Sequence, residues 1–164
     1  MFRGMRRFKQ QLPEEIAIEI LQNADSGVLA VLDEEGYPYT VPMSYIYADG
    51  KIYFHSAPTG HKIDAIKNYD KASFCIVSDD VVVPEKFSTM YRSIVAFGKL
   101  RFIEDKEDMR RITSDLAMKY SADYKEMIPK RIDEAIHRMA IIEMEIEHLT
   151  GKESMELARV RNEK

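Results

Sequence analysis

Apolar residues along the chain follow two periods, and the switches between them mark its elements. Behind Pro13, a residue suited to the first helical position, Ile16, Ile20, Leu21 and Ala24 recur at helical spacing and predict a helix ending before Gly27. Val28–Leu32 reads as a short apolar strand, closed by the acidic turn Asp33–Glu34–Glu35–Gly36. From Tyr39 to Tyr47 the pattern alternates, with Tyr39, Val41, Met43, Tyr45 and Tyr47 on one face and Thr40, Pro42 and Ser44 on the other. Ile46 breaks the polar face, and Pro42 removes a ladder donor, which predicts an irregularity or a free edge there. Asp49–Gly50 is a two-residue hairpin turn into the strand Lys51–Ser56.

Ile63 and Ile66 then mark a short helix ending near Asn68, and Ala72–Val77 the next strand. Val81–Val83 runs into Pro84, and the stretch from Asp79 to Met90 reads as a loop between strands. Tyr91–Ile103 is a long strand with a bulge or close packing expected at Gly98. Met109, Ile112, Leu116 and Tyr120 give one helix, and Ile128, Ile132, Ala135 and Ile136 another. Ile142, Met144 and Ile146 alternate with Glu143, Glu145 and Glu147, a strand with one wet face, and a polar tail begins at Gly151. Together these predict a mainly β domain with flanking helices, a six-stranded antiparallel barrel filled by its apolar faces. It is a single domain over residues 1–164, with a core of about 5–150 and a tail of 151–164.

Composition narrows the function classes. A formal net charge of −4 with no basic stripe argues against nucleic acid. No apolar run of membrane-spanning length exists, and no apolar h-region follows the basic residues Arg3, Arg6, Arg7 and Lys9. The single cysteine, Cys75, has no internal disulfide partner and reads as a core residue between Phe74 and Ile76; the expectation is a cytoplasmic protein. There is no Gly-x-Gly-x-x-Gly or Walker sequence and no His-Glu-x-x-His, and His55 with His61 lacks a third ligand at suitable spacing for a metal.

The candidate chemistry lies at the strand-to-helix turn Tyr53–Lys62. Gly60 permits close backbone approach, and the N–H groups of Gly60, His61 and Lys62 at a helix start point toward an anion. Ser56 and Thr59 add hydroxyls and Lys62 a full charge, which makes a phosphate-sized site; the alternative is a capped turn with two surface histidines.

The ordered set Gly36–Tyr37–Pro38, Val41–Pro42–Met43–Ser44, Asp49–Ala57, Gly60–His61–Lys62, Tyr91–Arg92–Ser93, Gly98 and Thr150–Gly151–Lys152 resembles the flavin-binding split-barrel family of pyridoxamine-phosphate oxidase, within it the nitroimidazole-resistance (Nim-type) branch. The resemblance covers about Met5 to Lys152. It implies a split barrel that binds flavin mononucleotide (FMN) at the interface of a homodimer. It also implies that Lys62, His61 and Ser56 meet the phosphate, with Gly60 at the turn, and that Val41, Pro42, Met43 and Ser44 run along the flavin ring. Arg92 and Ser93 would lie near the ring or ribityl chain, His55 beside the cofactor, and Lys152 would approach from the C-terminal side. The Arg-x-His pair with which the oxidase proper holds its substrate has no match in Leu157–Lys164, so pyridoxamine phosphate is not the expected substrate.

The implied function is a flavin-dependent reductase that takes electrons from NAD(P)H or another donor and passes them to a small electron-poor acceptor of the nitroimidazole type, with His55 as candidate proton donor. The alternative is a non-catalytic protein that stores or senses flavin or binds haem.

Overall fold

Strand pairing in this chain is set by turns whose residues take positive φ. In the computed structural model, which describes residues 1–163, Asp49 (φ 53°) and Gly50 (φ 76°) turn the chain between β3 (Ile46–Ala48) and β4 (Lys51–Ser56), the twist that a two-residue hairpin needs. Gly36 (φ 84°) does the same between β1 (Ser26–Leu32) and β2 (Pro38–Ser44). There the Asp33 carboxylate accepts the N–H of Glu35 at 3.0 Å and of Tyr37 at 2.7 Å, an Asx-type lock on the turn.

With β5 (Lys71–Val83), β6 (Ser88–Ile103) and β7 (Ala140–Glu153), the strands form one antiparallel sheet in the order β2-β1-β5-β6-β7-β4-β3. The expected barrel of β-strands with helices outside is present, with seven strands where six were expected. The run Tyr39–Tyr47 breaks at Tyr45: its first part pairs with β1 (Ser44 opposite Ser26), its second with β4 (Ile46 opposite Tyr53). One bent stretch thus touches both ends of the sheet and rolls it up, while the outer edge of β2, beside β4, has no strand partner. That edge is the split, and Pro42 sits on it.

The barrel interior holds Leu29, Met43, Ile52, Phe54, Phe74, Ile94 and Ile142, with Phe74 edge-on to Tyr45 and Phe54 (centroids 4.9 and 5.1 Å). Ala17 and Leu21 of α1 (Glu14–Asn23) and Ile63 and Ile66 of α2 (His61–Asn68) join the same cluster. A second cluster lies outside the barrel, where Ile46, Tyr53, Ile103 and Ile141 meet Ile112 and Leu116 of α3 (Lys106–Ser121). Each such side chain contributes about 1.5–3 kcal/mol by burial. The Asp105 carboxylate starts α3 by accepting the N–H groups of Glu107 and Asp108. A 3-10 segment, Ala122–Met127, then links it to α4 (Ile128–Ala135).

Several expectations are corrected here. The stretch Asp79–Met90 is a hairpin arm and not a loop: β5 and β6 stay paired out to Val83 and Ser88, past a register shift between Val77 and Asp79. The shared face of Tyr39, Tyr45 and Tyr47 turns inward: Tyr45 is fully buried and the other two pack on the core. Tyr53 likewise is covered by α3. Ile46 broke the alternation because the strand bends at Tyr45 and sends Ile46 into the second cluster. Cys75 is half-buried, on the strand face opposite the buried Phe74 and Ile76, and burial pushes its thiol pKa up, which disfavours a thiolate nucleophile. The polar tail docks on its own chain as the end of β7 and α5 (Met155–Asn162), with Ala158 buried.

Glu143 is not on a wet face. It is buried, and Arg101 donates two bonds to it (2.6 and 3.0 Å) and Lys51 one (3.0 Å). Burial alone would raise its pKa, but the bonds from Arg101 and then Lys51 outweigh that and hold it below the usual carboxylate value. A depressed folded-state pKa stabilises above the unfolded value, and that contribution disappears as pH falls through the folded one. Glu143→Gln is therefore expected to flatten the acid limb of a stability–pH curve; an unchanged acid limb would show that other carboxylates set it.

The expected bulge at Gly98 is present, as a register shift between Phe97 and Gly98 against β7. A Cβ on Gly98 would overlap the Glu145 carbonyl, a backbone group that cannot swing away. Gly98→Ala is expected to cost about 1–3 kcal/mol, read as a lower denaturant midpoint at unchanged slope. An unchanged midpoint would mean that the bulge relaxes.

Candidate functional site

The end of β4 and the start of α2 bring the anion-binding residues together. Lys62 Nζ donates to Ser56 Oγ at 2.7 Å, and Ser56 itself is 8% exposed. Gly60 has φ 119°, a conformation that side chains rarely adopt, and nothing lies within 4 Å of where a Cβ would be. No side chain caps α2. The Gly60 carbonyl accepts the N–H groups of Ile63 and Asp64, leaving the amides ahead of them facing outward. Open space, a partly buried ammonium, a hydroxyl and a helix start converge on one point.

His61 faces elsewhere. Its ring stacks on Tyr39 (4.2 Å), and Nε2 lies 3.6 Å from Asp33 and 3.7 Å from Glu34. The stack ties α2 to β2. The split of the barrel is the crevice between the outer edge of β2 and the end of β4. Of the residues expected at the cofactor, Ser56, Gly60 and Lys62 meet at the start of α2, while Met43 is buried in the barrel interior with Val41 packed against that core. His55 is exposed at the end of β4, out of the core as its strand position predicts, and shares with Ser44 a groove of about 700 Å³. The far walls of that groove come from α3, the 3-10 segment and α4, including Leu116, Tyr124, Ile128 and Ile132.

The corner of this groove is fixed by residues that the sequence did not single out. The Tyr120 hydroxyl accepts the N–H of Tyr45 (2.9 Å) and lies 2.7 Å from the carbonyls of Tyr45 and Asp25. Lys119 Nζ donates to the carbonyls of Ala24 (2.6 Å) and Tyr45 (3.2 Å) and sits 4.2 Å over the Tyr45 ring. Burial lowers the pKa of this lysine and raises that of the Tyr45 phenol, whose hydroxyl donates to the Leu21 carbonyl. The strand break at Tyr45 leaves backbone groups without ladder partners, and the last turn of α3 satisfies them. In the sequence Tyr120 was visible only as a helix-face residue.

Arg92, Ser93 and Lys152 lie apart from the crevice. Ser56 pairs with Ala140 at one end of β7, whereas Ser93 pairs with Lys152 twelve residues along the same strand, roughly 40 Å of extended chain. Arg92 is not a loose surface charge: its Nε donates to Glu153 at 3.2 Å, and Arg161 donates to the other oxygen at 2.7 Å. Glu153 is fully buried, and Lys152 Nζ sits 5.3 Å from the Tyr91 ring centroid. His148 stacks on Phe2 (4.6 Å), and His137 is exposed. Among the described residues no cluster of three or more His, Cys, Asp or Glu could hold a metal ion, and no helix is long and apolar enough to cross a membrane.

Among solved structures, the chain is similar to a candidate 5-nitroimidazole antibiotic resistance protein from Bacteroides thetaiotaomicron, at 26% identity over 93% of this chain and 90% of that one (TM-score 0.72). It shares its fold with a FAD-binding protein from Mesorhizobium loti (21% identity, 88% and 96% covered, TM-score 0.62). The same holds for a FAD- and haem-binding protein from Mycobacterium smegmatis (15%, 89% and 74%, TM-score 0.73). No curated protein sequence matches it. The sequence profile described as pyridoxamine 5′-phosphate oxidase matches residues 13–153, nearly all of the barrel and the whole crevice, and the chain belongs to that family.

Proposed function

We propose that the chain is a flavoprotein that binds FMN in the crevice at the barrel split and passes electrons to a small electron-poor acceptor. The observation that carries this reading is the Lys62–Ser56 pair at an uncapped helix start, opened by Gly60 and facing an unpaired strand edge. Those donors fit a phosphate: an ammonium, a hydroxyl and outward amides within one turn. The outer edge of β2, where alternate residues of Val41–Ser44 direct backbone groups away from β1 and Pro42 offers no N–H, fits the polar edge of a flavin ring. The Asp33 and Glu34 carboxylates face His61 Nε2, at 3.6 and 3.7 Å.

Bound flavin would supply reversible two-electron chemistry. The chain supplies the rest. Lys62 and Ser56 anchor the anionic end, the β2 edge orients the ring, and α3 keeps the groove beside it dry. His55, exposed at the groove, can give a proton to an acceptor oxygen. The nitroimidazole-resistance relative favours an acceptor of that class, and a reduced nicotinamide is the donor to test. Titration of the flavin-free protein with FMN tests the binding step: saturable binding at one site per chain supports it, and no binding overturns it.

A homodimer belongs to this reading. Arg92, Ser93 and Lys152 are too far along β7 to reach the crevice of their own chain, so contact with flavin requires a second copy. Light scattering at micromolar concentration is expected to give twice the 19.0 kDa chain mass. A flavin-loaded monomer would remove these three residues from the site.

A further inference from the structure

Ile128 and Ile132 are only 6% and 7% exposed, yet they belong to neither hydrophobic cluster of the fold. Both face the groove of about 700 Å³ beside His55, opposite Leu116 and Ala117 of α3. The third wall is the segment Ala122–Met127, which buries none of its residues and leaves Tyr124 and Met127 66% and 49% exposed. A concavity of this size, floored by the buried Ile128 and Ile132 and rimmed by the exposed Tyr124 and Met127, fits a ligand site. The polar groups are unevenly placed. Ser44 and His55 stand at the crevice end, Thr113 and Tyr120 are already bonded to carbonyls, and Arg131, the one permanently charged lining residue, is held by Glu134 at 3.3 Å. Such a lining selects a neutral, flat molecule with a hydrocarbon body and an acceptor oxygen at one end. A nitroimidazole, small and polar, would leave the exposed Tyr124 and Met127 uncovered.

We propose that this groove binds a hydrocarbon-substituted quinone as the electron acceptor, with one carbonyl oxygen at His55; its role as acceptor rests on the flavin reading above. Reduction to the hydroquinone takes two electrons and two protons. A reduced nicotinamide supplies both electrons and one proton as hydride through the flavin, and the second proton reaches the carbonyl oxygen from His55, which solvent reprotonates.

Menadione is titrated into the purified protein by calorimetry, with and without FMN, alongside 2-methyl-5-nitroimidazole. One saturable menadione site per chain is expected, at least tenfold tighter than for the nitroimidazole. Ala117→Phe, which fills the groove, is expected to weaken menadione at least tenfold while FMN affinity stays within twofold; Ala135→Phe fills it from the other wall should the first variant not fold. The proposal is overturned by the absence of a saturable site, by equal affinity for the nitroimidazole, or by unchanged menadione binding in a folded filled variant. Competition between menadione and FMN for one site would also overturn it, by making the groove the flavin's own seat. Should FMN fail to bind at all, the flavin reading falls alone, and the menadione titration still decides whether the groove takes a quinone.

Discussion

Replacing His55 with asparagine is expected to leave FMN bound while nitroimidazole turnover falls by about 10²-fold or more. The expectation follows from where the strand ends. Ile52 and Phe54 point into the barrel and Tyr53 is covered by α3, so His55 is the first outward residue of β4 that no element covers. It opens onto the groove that runs from Ser44 to α4. Histidine is the side chain suited to cycling a proton near neutral pH, and reduction of a nitro group consumes protons as well as electrons. Asparagine keeps a hydrogen-bond donor of similar size but cannot cycle the proton, so binding and chemistry separate. The check is steady-state turnover with the variant saturated in FMN. Unchanged turnover in the loaded variant would remove His55 from the mechanism and leave it a role in holding the cofactor.

The second large effect concerns Lys62. Lys62→Ala is expected to weaken FMN binding by roughly 1.5–3 kcal/mol, the range for a charge-assisted hydrogen bond, or about ten- to a hundredfold in affinity. Riboflavin lacks the phosphate and should lose far less. The comparison matters because Lys62 also donates to Ser56 at 2.7 Å and so helps to fix the turn. Were that structural bond its whole contribution, both ligands would weaken equally. Calorimetric titration of the two flavins into wild type and variant distinguishes the cases.

Turn chemistry and alternation disclosed most of the barrel in the sequence, because Asp49–Gly50, Gly36 and the apolar faces act over a few residues. The break at Tyr45 showed in the sequence only as Ile46 interrupting the polar face, since the backbone groups it frees are satisfied by Tyr120 in the last turn of α3, 75 residues away. Asp79–Met90 failed for a related reason. A hairpin arm that stands out from the core has no buried face, so Val81 and Val82, 53% and 67% exposed, carry no period to read. Glu143 reads as solvent-facing until Lys51 and Arg101 are brought across from two other strands. Ser56 and Lys62, which meet at 2.7 Å, lie six residues apart and were legible as a pair. That Arg92 and Ser93 of β6 pair with the far end of β7, where Lys152 lies, depends on register, which alternation within a strand cannot give.

Anaerobic spectroscopy of the FMN-loaded protein tests the redox reading most directly. Addition of a reduced nicotinamide is expected to bleach the visible flavin absorption, and a nitroimidazole or menadione added next is expected to restore it, stoichiometrically with acceptor consumed. A protein that binds FMN but keeps its absorption unbleached, or that bleaches and then recovers only when air is admitted, would contradict a reductase and leave a flavin carrier in its place.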